Sequence, residues 1–94
     1  MTEITVEDIS GDGGGLVFSV TVSEGGGSSE HRVMLGREYY ERLTQGRATP
    51  RELVEKSFMF LLEREPKESI LGSFDLSVIE RYFPEYPEKI GKYF

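Results

Sequence analysis

The alternation of residues 16–23 constrains this chain more than any other feature. Leu16, Phe18, Val20 and Val22 alternate with Val17, Ser19, Thr21 and Ser23, and a period of two is the pattern of a strand with one buried face. Ile4 and Val6 alternate with Thr5 and Glu7 before it, and His31, Val33 and Leu35 alternate with Arg32 and Met34 after it. Gly11-Asp12-Gly13-Gly14-Gly15 separates the first two runs, and Glu24-Gly25-Gly26-Gly27-Ser28-Ser29 the second and third. Seven of the 11 glycines fall in these two breaks, so the glycine content is chiefly hairpin chemistry. The expected N-terminal third is a three-stranded antiparallel meander, with strand 31–35 pairing against 16–22 in its own chain.

The remainder reads as helix. Arg37 to about Gln45 makes a short one, with Tyr39 or Tyr40 and Leu43 at helical spacing and Gly46 as its stop. Thr49-Pro50-Arg51-Glu52 is the sharpest local signal. Thr at the cap, Pro at the first helical position and Glu at the third make a capping box, in which Thr49 and Glu52 satisfy amide donors that a helix start leaves unpaired. This helix is expected to run to about Arg64 or Glu65, ahead of Pro66. Its apolar residues, Leu53, Val54 and Phe58 to Leu62, cover too wide an arc for one contact, so two sides need covering. Ser69 to Ser73 is expected as one turn, Asp75 as the cap of a helix over 76–83, and Pro87 as the start of a last turn through Ile90. Residues 1–94 thus form a single α+β domain: an N-terminal three-stranded antiparallel β-meander followed by three or so α-helices packed on one face.

Composition limits the chemistry. The chain has no cysteine and one histidine, which excludes disulfides, thiol nucleophiles and cysteine-based metal sites. His31 needs a partner such as a carboxylate or nucleophile in reach to act as a base, and nothing in its local sequence is read as supplying one. The glycine loop 11–15 lacks the Lys and Ser/Thr of a phosphate cradle, carries Asp12, and has too few ligands for a calcium loop. Glu63, Glu65 and Glu68 read as a solvated helix end. No catalytic residue, metal ligand or cofactor is therefore expected. No apolar run reaches the roughly 18–20 residues that span a bilayer. Met1 to Asp8 has neither the basic nor the apolar part of a leader, so a cytoplasmic location without membrane contact is expected.

The net charge of -6 is unevenly placed. Residues 1–30 hold Glu3, Glu7, Asp8, Asp12, Glu24 and Glu30 with no Lys or Arg, whereas residues 31–51 hold Arg32, Arg37, Arg42, Arg47 and Arg51 against Glu38 and Glu41. An acidic total disfavours a general polyanion binder but leaves the arginine-bearing stretch open to a local anionic contact.

Strand 31–35, helix 37–45, the turn at Gly46 and the capped helix from Thr49 follow in an order that resembles a ribbon-helix-helix DNA-binding unit over residues 31–65. The resemblance implies a dimer whose strand, paired with its copy, enters the major groove. The outward residues Arg32 and Met34, with Glu30 next in the row, would meet bases, and Thr49 and Arg51 at the helix start would meet phosphate. A second likeness covers roughly residues 31–90. Phe60-Leu61-Leu62-Glu63-Arg64-Glu65-Pro66, Phe74-Asp75-Leu76-Ser77-Val78-Ile79 and Tyr82-Phe83-Pro84-Glu85-Tyr86 resemble a small uncharacterised prokaryotic protein family of similar length. That family implies no activity.

Eight of the 11 aromatic residues follow residue 57. Most are expected in the core. Tyr82, Phe83, Tyr86 and Phe94 are the candidates for an apolar patch that meets a partner, Tyr86 above all because it lies between two prolines. The expected function is a small non-enzymatic protein-interaction module, binding another protein or a second copy of itself. The alternative is a dimeric ribbon-helix-helix-like DNA-binding regulator or antitoxin.

Overall fold

The computed structural model of the protein describes residues 2–10 and 15–94. Three strands come first: β1 (Glu3–Asp8), β2 (Leu16–Glu24) and β3 (Gly27–Leu35). They pair antiparallel in the expected meander, with Val6 opposite Val20 and Val20 opposite His31. The reversal between β2 and β3 is two residues long, Gly25 and Gly26, at φ of 59° and 84°. Positive φ at both central positions is the hairpin geometry that matches strand twist, and glycine reaches it without a Cβ clash. The glycine run at 11–14 lies outside the described residues.

Two helices follow, α1 (Arg37–Thr44) and α2 (Pro50–Leu62). Helix α1 stops one residue earlier than Gly46 suggests: Gln45 itself takes the left-handed conformation, φ 51°, and Gly46 continues at 80°. Helix α2 begins with the capping box as read, Thr49 accepting the Glu52 N–H and Glu52 accepting the Thr49 N–H, both at 3.1 Å. It ends at Leu62, short of the expected Arg64 or Glu65. Both Arg64 and Glu65 donate their N–H to Leu61 O at 2.9 Å, a tightened last turn, and Pro66 steers Glu65 away from helical ψ. Thr49→Ala should cost about 1 kcal/mol, read as a lower thermal midpoint with the fold retained.

The sheet gains a strand that the sequence reading lacks. β4 (Ser73–Asp75) lies parallel to β3, with Val33 opposite Phe74, so the order is β1-β2-β3-β4. The expected turn at 69–73 falls earlier, as a 3-10 turn over Lys67–Ser69. The expected helix 76–83 is a 3-10 turn, Leu76–Val78, leading into the four-residue α3 (Ile79–Tyr82). Asp75 caps the turn as expected, accepting from the Ser77 N–H at 3.0 Å. The last helix is α4 (Tyr86–Ile90). The α+β class and the meander stand, with four strands and four helices among the described residues.

One sheet face is buried and the other open. Val6, Phe18, Val20, Val22, Val33 and Leu35 on the inner face form one core cluster with Leu53, Val54, Phe58, Phe60 and Leu61 of α2. The outer face carries Thr5, Ser19, Thr21, Arg32 and Ser73, none of them buried. The wide apolar arc of α2 is used on two sides, against the sheet and against α4. Among the described residues no helix is long and apolar enough to cross a membrane.

Candidate functional site

The two most exposed of the large apolar side chains, Tyr82 and Leu71, stand around one groove. Helix α2 stops before Pro66, and Pro84 holds α3 to four residues, since a residue before proline is pushed out of helical geometry. Phe83 sits at φ -131° accordingly. The two short helical ends leave between them a groove of about 340 Å³. Leu61, Ile70, Phe74 and Ile79 are buried at its base, and Val78 and Phe83 are half-buried. Leu71, 48% exposed, and Tyr82, 67% exposed, stand at its rim. Glu65 is the one charged residue lining it among the described residues.

The four aromatic interface candidates therefore separate. Tyr82 and Phe83 line the groove together. Phe83 also packs edge-on against Phe60, centroids 5.9 Å apart. Phe94 lies elsewhere, its ring under the Arg47 guanidinium at 5.7 Å. Tyr86 is a correction: it is fully buried, 0% exposed. Its hydroxyl is 2.6 Å from Ser57 Oγ and its ring 5.2 Å from Phe60. The flanking prolines mislead because Pro87 stands in the first turn of α4. A proline there gives up an N–H that has no helical partner anyway, so it marks a helix start rather than a loop, and that start lays Tyr86 on α2. Burial pushes the Tyr86 phenol above its ordinary pKa.

The nucleic-acid candidates separate too. Over Arg32 to Met34, β3 is flanked by β2 on one side and β4 on the other, and the Arg32 N–H donates to Gly72 O at 2.8 Å. Those backbone groups are used within the chain. Arg32 is exposed on the open face and Met34 half-buried. Thr49 spends its side chain on the capping box, which leaves the Glu52 carboxylate at the start of α2. Asp8, from the acidic hairpin, lines the same shallow depression as Thr49 and Arg51. Its carboxyl is held below the ordinary value by hydrogen bonds from Ser10, and further by Arg51 and Arg37. The protein's own carboxylates thus take the place an incoming anion would use. The other arginines disperse. Arg42 pairs with Glu80 at 3.5 Å and lies over the Tyr39 ring at 5.0 Å, while the Arg47 Nε–H donates to Thr44 O at 3.2 Å.

His31 has a partner in its own sequence neighbourhood, Ser29, contrary to expectation. Nδ1 lies 2.7 Å from Leu71 O, and a carbonyl only accepts, so Nδ1 carries the proton. In the neutral ring Nε2 is then an acceptor for the Ser29 hydroxyl, 2.8 Å away. The signal was present: residues two apart on a strand share a face. The arrangement is that of a serine with a tautomer-fixed base. However, the ring is buried against Phe58, centroids 5.3 Å apart, and Ser29 lines none of the larger cavities. What the pair does here is tie β3 to the segment before β4. Of the helix-end acids, Glu63 accepts from the Tyr93 hydroxyl, Glu68 pairs with Lys67, and Glu65 lines the groove. Among the described residues no three His, Asp or Glu side chains converge as metal ligands. Comparison with protein-family models, with curated proteins and with solved structures finds no match for this chain.

Proposed function

We propose that the protein is a non-enzymatic protein-interaction module that seats apolar side chains of another protein in the groove between α2 and α3. The observation that carries this reading is the exposure of Tyr82 and Leu71 around an otherwise buried or half-buried apolar lining. Clustered exposed apolar side chains mark interaction sites, and tyrosine is a favoured anchor because it brings large area at little entropic cost. A partner offering apolar anchors beside a Lys or Arg fits the single rim carboxylate, Glu65. A net charge of -6 also steers a cationic partner inward and opposes a second copy.

Selection of a displayed peptide library on the protein tests this. It should enrich apolar-anchored sequences whose affinity falls about 30-fold on Tyr82→Ala, the scale of a hot-spot residue. Both Tyr82→Ala and Leu71→Ser should leave stability within about 0.5 kcal/mol. Enriched peptides indifferent to both substitutions would sink the reading. Nucleic-acid binding through Arg32, Met34, Thr49 and Arg51 has less support, because Glu52 and Asp8 already sit at the helix start and β3 has no free edge at Arg32–Met34.

A further inference from the structure

The opposite edge of the sheet carries a different surface. Asp8 pairs with Phe18, and the Ile9 N–H donates to Val17 O at 2.9 Å. Antiparallel alternation then puts Glu3, Thr5 and Glu7 in the bonded pairs and turns the N–H and C=O of Ile4 and Val6 away from β2. Among the described residues no strand pairs with that side of β1. Beside it, between β1 and α2, runs a groove of about 620 Å³. Ile4, Met59 and Leu62 supply its apolar part, with Met59 40% exposed. Among the described residues three carboxylates line it, Glu24, Glu55 and Glu63, and no Lys or Arg does. Glu24 accepts from the Thr2 hydroxyl at 2.7 Å and Glu63 from the Tyr93 hydroxyl, and neither bond removes a charge. Lys56, 3.7 Å from Glu55, offsets one of the three. On the open face of the same strand Glu3 and Glu7 are exposed.

We propose that this edge docks an extended cationic segment of another protein, which adds beside β1 as a fifth strand. The free N–H and C=O groups of Ile4 and Val6 supply the backbone bonds, and alternation supplies specificity. Every second side chain of the incoming strand falls on the groove side, where apolar residues meet Ile4 and Met59. The others fall on the open face, where Lys or Arg meet Glu3 and Glu7. A second copy is the wrong occupant. β1 against β1 sets Glu3, Glu7 and Asp8 of one copy against those of the other, and like charges across a strand pair destabilise it. Charged residues on an edge strand are a general means of suppressing self-pairing. The proposal is independent of the Tyr82 groove.

Fluorescence anisotropy on the full chain tests it with a labelled peptide in which valine and lysine alternate. Three controls separate the causes: the valine–glutamate peptide, the valine–lysine peptide N-methylated at alternate amides, and the Glu3→Lys/Glu7→Lys double variant, whose changed residues are exposed. We expect the valine–lysine peptide to bind at low salt and to weaken as salt rises. We expect no binding of the glutamate peptide, a loss of about tenfold or more on N-methylation, the worth of a few backbone bonds, and a loss of about tenfold in the double variant. Tyr82→Ala should change nothing, which keeps this outcome separate from that of the proposed function. Amide shifts in the NMR spectrum should centre on Ile4 and Val6. No binding at low salt overturns the proposal. So does equal binding of the N-methylated peptide, which would leave only diffuse charge attraction, and so do shifts confined to another surface.

Discussion

Tyr86→Ala should cost about 3–5 kcal/mol, the usual price of removing a large aromatic from a core, and remove a large share of the total stability. A domain of this length has roughly 5–14 kcal/mol in total. Tyr86 fills space against Phe60 and is held by Ser57. The direction of that bond follows from Ser57, which donates its own proton to Leu53 O at 2.6 Å, so Tyr86 is the donor. Tyr86→Phe therefore leaves Ser57 still donating and should cost only about 1 kcal/mol. Urea midpoints of the two variants separate ring from hydroxyl. A wild-type midpoint for Tyr86→Ala would place Tyr86 outside the core. The phenol also predicts an alkaline limb. Unfolded tyrosine ionises near pH 10, whereas buried Tyr86 holds its proton to higher pH. Above about pH 10 the unfolded state therefore binds fewer protons, and stability falls as pH rises. Below that pH the contribution is fully present. Tyr86→Phe should blunt the loss but not abolish it, because Tyr39 is shifted the same way by burial and by Glu80.

His31→Ala should cost about 2–4 kcal/mol. The ring's removal opens space beside Phe58 and strips Leu71 O of its donor, and an orphaned buried acceptor alone costs about 1–3 kcal/mol. Ser29→Ala should cost about 1 kcal/mol, since Nε2 then loses one bond and the ring keeps the other. The loss should be local before it is global. Hydrogen exchange at the Arg32 amide, which donates to Gly72 O beside this tie, should accelerate in His31→Ala before that of β2 does. Equal exchange throughout, with an unchanged midpoint, would mean the ring does not tie β3 to the segment before β4.

What could be read in advance was what local spacing encodes. The alternation in β2 and β3, the pairing between them, the capping box at Thr49 and the cap at Asp75 are each set within a few residues. His31 was placed on the same strand face as Val33 and Leu35, and all three are buried. β4 was not legible, because three residues carry no period and their pairing with Arg32 to Met34 is a contact across some forty positions. Tyr86 was misread because the same prolines serve loops and helix starts. The groove at Tyr82 was half legible. The aromatic pair 82–83 could be named, but Leu71 and Ile70 reach it only through the fold. The acidity of the first thirty residues was plain, yet that Asp8 would stand beside Arg51 depended on where β1 crosses the start of α2.

The parallel pairing of β3 with β4 also sets an order of assembly. β2 and β3 are joined by a two-residue reversal and close on each other cheaply, whereas β4 pairs with β3 across some forty positions that include α1 and α2. Long closures come late in folding, and the segment that comes late here, from Ile70 to Phe83, is the one that finishes the Tyr82 groove. The groove exists only once the rest of the molecule is in place. A ligand held there would act as a clasp on the completed fold, drawing the last-formed edge into register and slowing its release.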